Sequence, residues 1–521
     1  MYRNHEPNIF SIGVAESLKN LYENIAIVIG SESRYLMMAM ARELIERYDS
    51  KIHIYCNGPQ ELEFYKKENK EGSFASVNDA DQFFKVDPSR KIDESELFER
   101  ARRFEERTGY TINRMVVSHR HFGRGYLLAG NNHMRSRQSE STTYKQMVDF
   151  VCQELEFWEN EFLNKNITLC INGGRSTAYM AHACDIAYRA LAGSRMQNLH
   201  YWAWNEMYET PEFERCWHQL DSVPDADLAD AYYGHQVNRN IFKKSFGFMR
   251  LLKALIKTTI QVIYWRFRGY EKGKNYYFQD LLMYHYRRWR DHQRLEKIAT
   301  ATLADFENKP FVYFPLHIEP EMALHGISPE YFYQHAAIAA ISRDLPVGTF
   351  LLVKEHFGAI GRRPDSFYRQ VDDLKNVIWL NTWEYGIQCA QKANVVATIC
   401  GTAGLEALVA GKPVIAFGHH NLYNFLSSVR VVVDERDLQK YLREFLSDQF
   451  DSSAIRGDAR KLLRAIEVSS FDLRQYDYID LKNFDEQSVR DACDALEGTL
   501  NDPMRTTFAS VNRSEPISKL A

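Results

Sequence analysis

Short apolar runs alternate with amphipathic stretches in two separate series along the chain. The first opens with IAIVIG (25–30), a β-rich run that predicts a strand. Leu36, Met37, Met40, Ala41, Leu44 and Ile45 then share one helical stripe, and KIHIYC (51–56) returns to strand, so a β-α-β unit is expected. Residues 57–94 read as polar and irregular. A helical ARRFEERTGY leads to NRMVVS (113–118) and then to the run His119, Arg120, His121, Phe122, Gly123, Arg124, Gly125, Tyr126. ITLCIN (167–172) reads as a further strand, capped by Gly173, Gly174, Arg175 and Ser176, with a helix from Thr177.

The second series is more regular. FVYFPL (311–316), TFLLVK (349–354), NVIWL (376–380), NVVATI (394–399) and PVIAFG (413–418) all read as strands. Helical patterns near 329–343, 365–374, 383–393 and 402–410 separate most of them. Such alternation gives a parallel, doubly wound sheet through right-handed crossovers. The expected organisation is an N-terminal α/β domain over 1–235, a basic aromatic helical connector over 236–305, a C-terminal α/β domain over 306–450, and C-terminal helices with a loose tail over 451–521.

Composition then narrows the class. A chain of 521 residues exceeds what one core organises, and 45% apolar with 26% charged residues excludes wholesale disorder. A formal net charge of −4 argues against nucleic acid as a partner. No apolar run approaches the roughly 18 residues of a transmembrane helix, and the first residues lack the order of a signal peptide. Eight cysteines without a CxxC pair read as reduced thiols, and a cytoplasmic protein is expected.

In an open parallel sheet, ligands bind beyond the carboxyl ends of the strands, where loops and helix N-termini converge. The second series places His317, Glu319 and Glu321 after its first strand and Lys354, Glu355 and His356 after its second. Cys400, Gly401, Thr402, Ala403 and Gly404 follow the fourth, with Glu406 one turn into the helix, and Gly418, His419 and His420 follow the fifth. A Gly-Thr-Ala-Gly turn admits close approach of a ligand, and the helix behind it offers unpaired N–H groups to a phosphate. Glu406 suits ribose hydroxyls, and Lys354 and His356 suit a phosphate leaving group. Neither a Walker pattern nor the dinucleotide fingerprint is present.

YFPLHIEPE, LLVKEHF and TICGTAGLEALVAGKPVIAFG, in this order and spacing over roughly 311–420, resemble bacterial capsule polysaccharide biosynthesis proteins. That group includes glycosyltransferases of the GT-B fold, such as the capsular Kdo transferases. INRMVVSHRHFGRGY is similar to a segment found before this domain in some members. One departure is His356-Phe357 where the family commonly has His-Pro.

The resemblance implies two Rossmann-like α/β domains facing across a cleft. The C-terminal one would bind a CMP- or UDP-linked sugar, and the N-terminal one a polysaccharide or lipid-linked acceptor. Transfer would be metal-independent, with the nucleotide sugar as co-substrate and no cofactor. Lys354, His356 and the amides around Thr402 would stabilise the departing phosphate. Glu105, His119 and His121 are the acceptor-side candidates for a base, Arg120, Arg124 and Arg175 those for holding anionic groups, and Ser31 to Ser33 and Gly173 are expected to line the cleft. Two rival readings are a nucleotide-sugar 2-epimerase on the same architecture and a non-catalytic glycan-binding partner of an export complex.

Charge is uneven within the chain. Residues 241–300 hold 14 Lys and Arg against 4 Asp and Glu, a local excess of ten. Over 246–265, Arg250, Lys253, Lys257 and Gln261 share one helical face and apolar residues occupy the remainder. With Trp265 and Phe267 beside it, the segment 246–268 suits a helix lying on an anionic inner-membrane surface. The same pattern also suits a connecting helix packed on protein with its cations solvated.

Overall fold

The computed structural model describes residues 20–30, 33–80, 92–117, 135, 137–194, 196, 198–221, 243–270, 274, 276–319, 324, 326–331, 333–447, 450–473, 482 and 484–502. The chain divides into two units, one of Met1–Met115, Lys145–Cys216 and Ala465–Asn512, the other of Val116–Tyr144, Trp217–Arg464 and Arg513–Ala521.

In unit 1, β1 (Asn24–Ile29) pairs in parallel with β2 (Lys51–Cys56), which pairs in parallel with β3 (Ser76–Asp79). All six residues of β1 are buried, so it reads as an unbroken apolar run rather than an alternating one. Helix Arg34–Tyr48 returns the chain between β1 and β2 and buries Leu36, Met37, Met40, Ala41 and Leu44, the stripe expected from sequence apart from the half-buried Ile45. On the other side of β1 lie β4 (Leu169–Ile171) and β5 (Ala187–Gly193), both parallel, and then β6 (Leu199–Ala203), antiparallel to β5.

The stretch expected to be irregular, 57–94, contains helix Pro59–Glu68 as well as β3. Proline is tolerated at the helix start because its missing N–H would have no intrahelical partner there. The SVND of β3 is a half-exposed edge strand without apolar alternation, so it leaves no periodic signal. β5 was hidden by Arg189, a charge within a buried strand. Its guanidinium is fully buried, donates to the Thr499 hydroxyl and to the Tyr188 and Thr499 carbonyls, and lies 4.0 Å from the Trp204 ring centroid.

In unit 2, helices Phe248–Phe267 and Phe278–Ile298 pack on one another. Phe246, Leu295 and Ala299 enter the same core as Val312, Phe314, Leu351 and Val353, so these helices belong to the second unit. The sheet contains β7 (Phe311–Pro315), β8 (Phe350–Lys354), β9 (Val377–Trp379), β10 (Val395–Thr398), β11 (Val414–Ala416) and β12 (Val429–Val431). All its pairings are parallel, in the order β12-β11-β10-β7-β8-β9. The chain runs outward from β7 through β8 to β9 and then crosses back to place β10 on the other side of β7. The topological switch point therefore lies between β7 and β10.

The chain finally returns to unit 1, where β13 (Phe471–Asp472) adds antiparallel to β6. Helix Glu486–Leu500 closes that unit's core with Val489, Ala492, Cys493, Leu496 and Leu500, and its Ala492 carbonyl accepts the Trp202 indole N–H at 2.9 Å. Each unit is α/β with a parallel-rich sheet of Rossmann type.

Candidate active site

At the switch point the strand ends are tied together by side chains. The backbone N–H of Cys400, beyond β10, donates to His317 Nε2, beyond β7, at 3.2 Å. An Nε2 that accepts fixes the neutral ring with its proton on Nδ1. Gln334, at the start of helix Gln334–Asp344, clasps the His317 backbone on both sides, accepting from its N–H at 2.7 Å and donating to its carbonyl at 3.2 Å.

Arg363 joins this edge to β8. Its buried guanidinium donates to the His317 carbonyl at 2.6 Å, to Glu319 at 2.5 Å, and to both oxygens of Glu355 at 2.9 and 3.1 Å. Glu355 also accepts from the Tyr368 hydroxyl at 3.0 Å and from the His356 N–H at 2.8 Å. Burial raises the Glu319 carboxyl against the pull of Arg363, and the two carboxylates together raise the Arg363 guanidinium despite its burial. Glu319, expected at a ligand, is only 2% exposed and turned inward, where it balances Arg363. Neither Arg363 nor Tyr368 was singled out from sequence. The available signal was a carboxylate, Glu355, placed directly after a strand with a fully buried LLV core.

The phosphate-competent turn lies beside this frame. Helix Thr402–Val409 begins at Gly401, which has no side chain to cap it, so the first amides keep their donor capacity. The Thr402 hydroxyl bonds to Glu406, and Lys354 lies within electrostatic reach of that carboxylate. Burial raises the Glu406 carboxyl, while the Thr402 bond and the Lys354 charge pull it back. Burial, with Lys354 beside it, holds the His356 imidazole down at about 4. His356 Nδ1 accepts the Gly358 N–H at 3.1 Å, so the neutral ring carries its proton on Nε2 and is a donor there.

Two of the small residues expected to admit a ligand are small for another reason. A Cβ on Gly404 would lie 2.2 Å from the Tyr423 hydroxyl oxygen, and that hydroxyl donates to the Gly401 carbonyl at 3.1 Å. A Cβ on Gly418 would meet the Ile399 carbonyl at 2.3 Å. Both glycines are packing necessities, and Ala403 is buried beside them. Gly401 itself sits against His317 Nε2 and the Thr398 hydroxyl.

In unit 1, Glu105 accepts the Ile112 N–H at 2.7 Å, closing the turn after helix Glu94–Thr108. Gly173 has φ +119° and packs on Thr177, and Arg175 opens helix Arg175–Ala183 as a buried residue. His119, Arg120, His121, Arg124, Glu321, Ser31 and Glu32 lie outside the described residues. Among the described residues no cluster of three His, Cys, Asp or Glu side chains is placed to hold a metal ion.

Residues 228–427 match the capsule polysaccharide biosynthesis protein family. The motifs that carried the resemblance, over roughly 311–420, fall inside that span. No curated protein matches the chain. Solved structures that resemble it include the S. aureus MnaA–UDP co-structure, at 8% identity over 92% of this chain and 97% of that one, with a TM-score of 0.27. A glycosyltransferase from Rickettsia africae ESF-5 has 9% identity over 92% and 99%, with a TM-score of 0.27. A UDP-GlcNAc 2-epimerase from Neisseria meningitidis bound to UDP-GlcNAc has 10% identity over 85% of this chain and 99% of that one. Its TM-score is 0.22. Likenesses this loose carry no argument of their own. The architecture stands on the two parallel-rich sheets.

Proposed function

We propose that this protein is a glycosyltransferase of surface-polysaccharide assembly whose second unit binds a nucleotide-activated sugar at the β7/β10 switch point. The observation that carries the reading is the convergence there of His317, Lys354, His356 and the uncapped start of helix Thr402–Val409, within the family-matched span. Lys354 and the positive helix end oppose the negative charge that builds on the nucleotide phosphate as its bond to the sugar breaks. His356, neutral near pH 7, donates a hydrogen bond from Nε2 to that phosphate rather than acting as a standing cation. Glu406, bonded to Thr402, is positioned for ribose hydroxyls. Arg363, Glu319 and Glu355 hold the β7 and β8 ends in register behind the ligand and make no contact with it. Acceptor binding falls to unit 1, with Glu105 the described candidate for the base.

The basic helix fits an acceptor held on a lipid surface. On Phe248–Phe267 only Leu251 and Val262 are buried, while Ile256, Ile260 and Ile263 are each more than 60% exposed and Phe267 is 87% exposed. Arg250, Lys253 and Lys257 are exposed beside them. An apolar stripe edged by cations is poorly solvated in water and well matched to an anionic membrane interface. No helix among the described residues is long and apolar enough to cross a membrane.

The test is nucleotide release from UDP- and CMP-sugars with and without glycan acceptor. Release that requires acceptor supports the transferase. Conversion of the nucleotide sugar without acceptor would make the protein an epimerase, and glycan binding without any release would make it a non-catalytic partner.

A further inference from the structure

Unit 1 contains a buried cation that forms no ion pair among the described residues. Arg175 is 8% exposed, and none of its three guanidinium nitrogens has a hydrogen-bond partner among the described residues. The other deeply buried arginines are compensated: Arg363 by two carboxylates, Arg189 by two carbonyls, a hydroxyl and an indole face. A buried charge left unpaired is costly unless something arrives to pair it.

The surroundings are built for an anion. Arg175 is the first residue of helix Arg175–Ala183, directly beyond β4, a central strand of the sheet. Gly174 offers no side-chain cap, so the positive helix end and its first amides lie at the same turn as the guanidinium. One turn on, Tyr179 is 2% exposed and its hydroxyl has no partner among the described residues. Its ring stacks on Tyr110 at 4.4 Å, and Arg114 lies over the other ring at 5.8 Å. Glu206 is the carboxylate within electrostatic reach of Tyr179, and it forms no ion pair with Arg175.

We propose that this turn is a binding site for a compact oxyanion, a carboxylate or phosphate group, with Arg175 as its principal ligand and the Tyr179 hydroxyl and helix amides as further donors. The site belongs to unit 1 alone and stands whether or not unit 2 binds a nucleotide. Taken with the transferase reading, on which this last step rests, it makes the acceptor an acidic glycan.

The experiment titrates the full chain with sodium glucuronate and, separately, with inorganic phosphate, followed by thermal unfolding and calorimetry. Glucose and sodium chloride at matched ionic strength serve as controls. The wild type should bind at least one of the two anions saturably, and which arm responds separates carboxylate from phosphate. Arg175→Met should weaken that binding tenfold or more while its ligand-free Tm stays equal or rises, because no partner among the described residues is lost. Lys354→Ala should keep the part of the response that Arg175→Met removes, since that residue belongs to the other unit. The proposal is overturned if neither anion binds, if Arg175→Met binds as well as the wild type, or if its ligand-free Tm falls. It is overturned equally if Lys354→Ala abolishes the Arg175-dependent part of the response.

Discussion

The Cys400 amide donates to His317 Nε2 at 3.2 Å, joining strand ends that stand side by side although 83 residues separate them in sequence. His317→Ala leaves that amide without its acceptor, a loss of about 1–3 kcal/mol. It also frees the 400–404 turn, so nucleotide affinity should fall tenfold or more. Calorimetric titration with UDP and CMP, with unfolding followed by tryptophan fluorescence, checks both effects.

Lys354→Ala should leave the fold intact and lower turnover about 10²-fold, the scale expected when one preorganised charge-stabilising group is removed. Nucleotide release at saturating donor measures it. A loss confined to KM would mean that Lys354 binds donor without favouring the transition state.

Arg363→Met should destabilise unit 2 by about 3–5 kcal/mol, because Glu319 and Glu355 would both stay buried without their cation. Arg363→Lys should recover only part of this, since an ammonium does not reproduce the fork that reaches both carboxylates and the His317 carbonyl. Chemical denaturation of the two variants gives the difference.

Burial, with Lys165 nearby, holds His53 at about 4, below its ordinary 6.5, and its Nδ1 lies 2.9 Å from the Ser76 hydroxyl. A histidine depressed in the folded state contributes stability that is fully present above 6.5 and is lost as pH falls towards 4, because the unfolded chain takes the proton first. Glu319 and Glu406 are raised by burial and act in the opposite direction, so the comparison is between wild type and His53→Asn. The gap in Tm between them should change between pH 7.5 and 5, with the wild type losing more. A gap constant over that range would contradict the assignment.

Ile256→Glu with Ile260→Glu places two carboxylates on the exposed stripe of helix Phe248–Phe267. Wild-type protein should float with vesicles containing anionic lipid and stay behind with neutral ones. The double variant should float with neither, and its Tm should be unchanged. Dimerisation of the wild type through the same face, seen by light scattering without vesicles, would give the stripe a different occupant.

The second unit was legible from sequence because each of its first five strands is a short apolar run ended by polar residues, and topology alone assigns ligands to such ends. β12, with only VRV, escaped notice. In unit 1, β5 was masked by Arg189, whose stabilising contacts come from Trp204 and from Thr499, 310 residues away. β6 and the two-residue β13 left too little pattern, and the return of helix Glu486–Leu500 to the first unit depends on core contacts that no local periodicity records. At the site, residue types at the strand ends were readable but their directions were not. Glu319 was expected at a ligand, whereas it and Glu355 turn inward to the buried Arg363 guanidinium. Gly404 and Gly418 looked like ligand clearances, and the structure gives that space to Tyr423 and to the Ile399 carbonyl.

The central claim is that the strand ends at 317, 354–356 and 401–406 hold the phosphates of a nucleotide. Calorimetric titration of UDP and CMP into the wild-type and Lys354→Ala chains tests it most directly. The account predicts saturable one-to-one binding of at least one nucleotide by the wild type, weakened tenfold or more by the substitution. Absence of binding for both nucleotides, or equal affinity in the two chains, would contradict it.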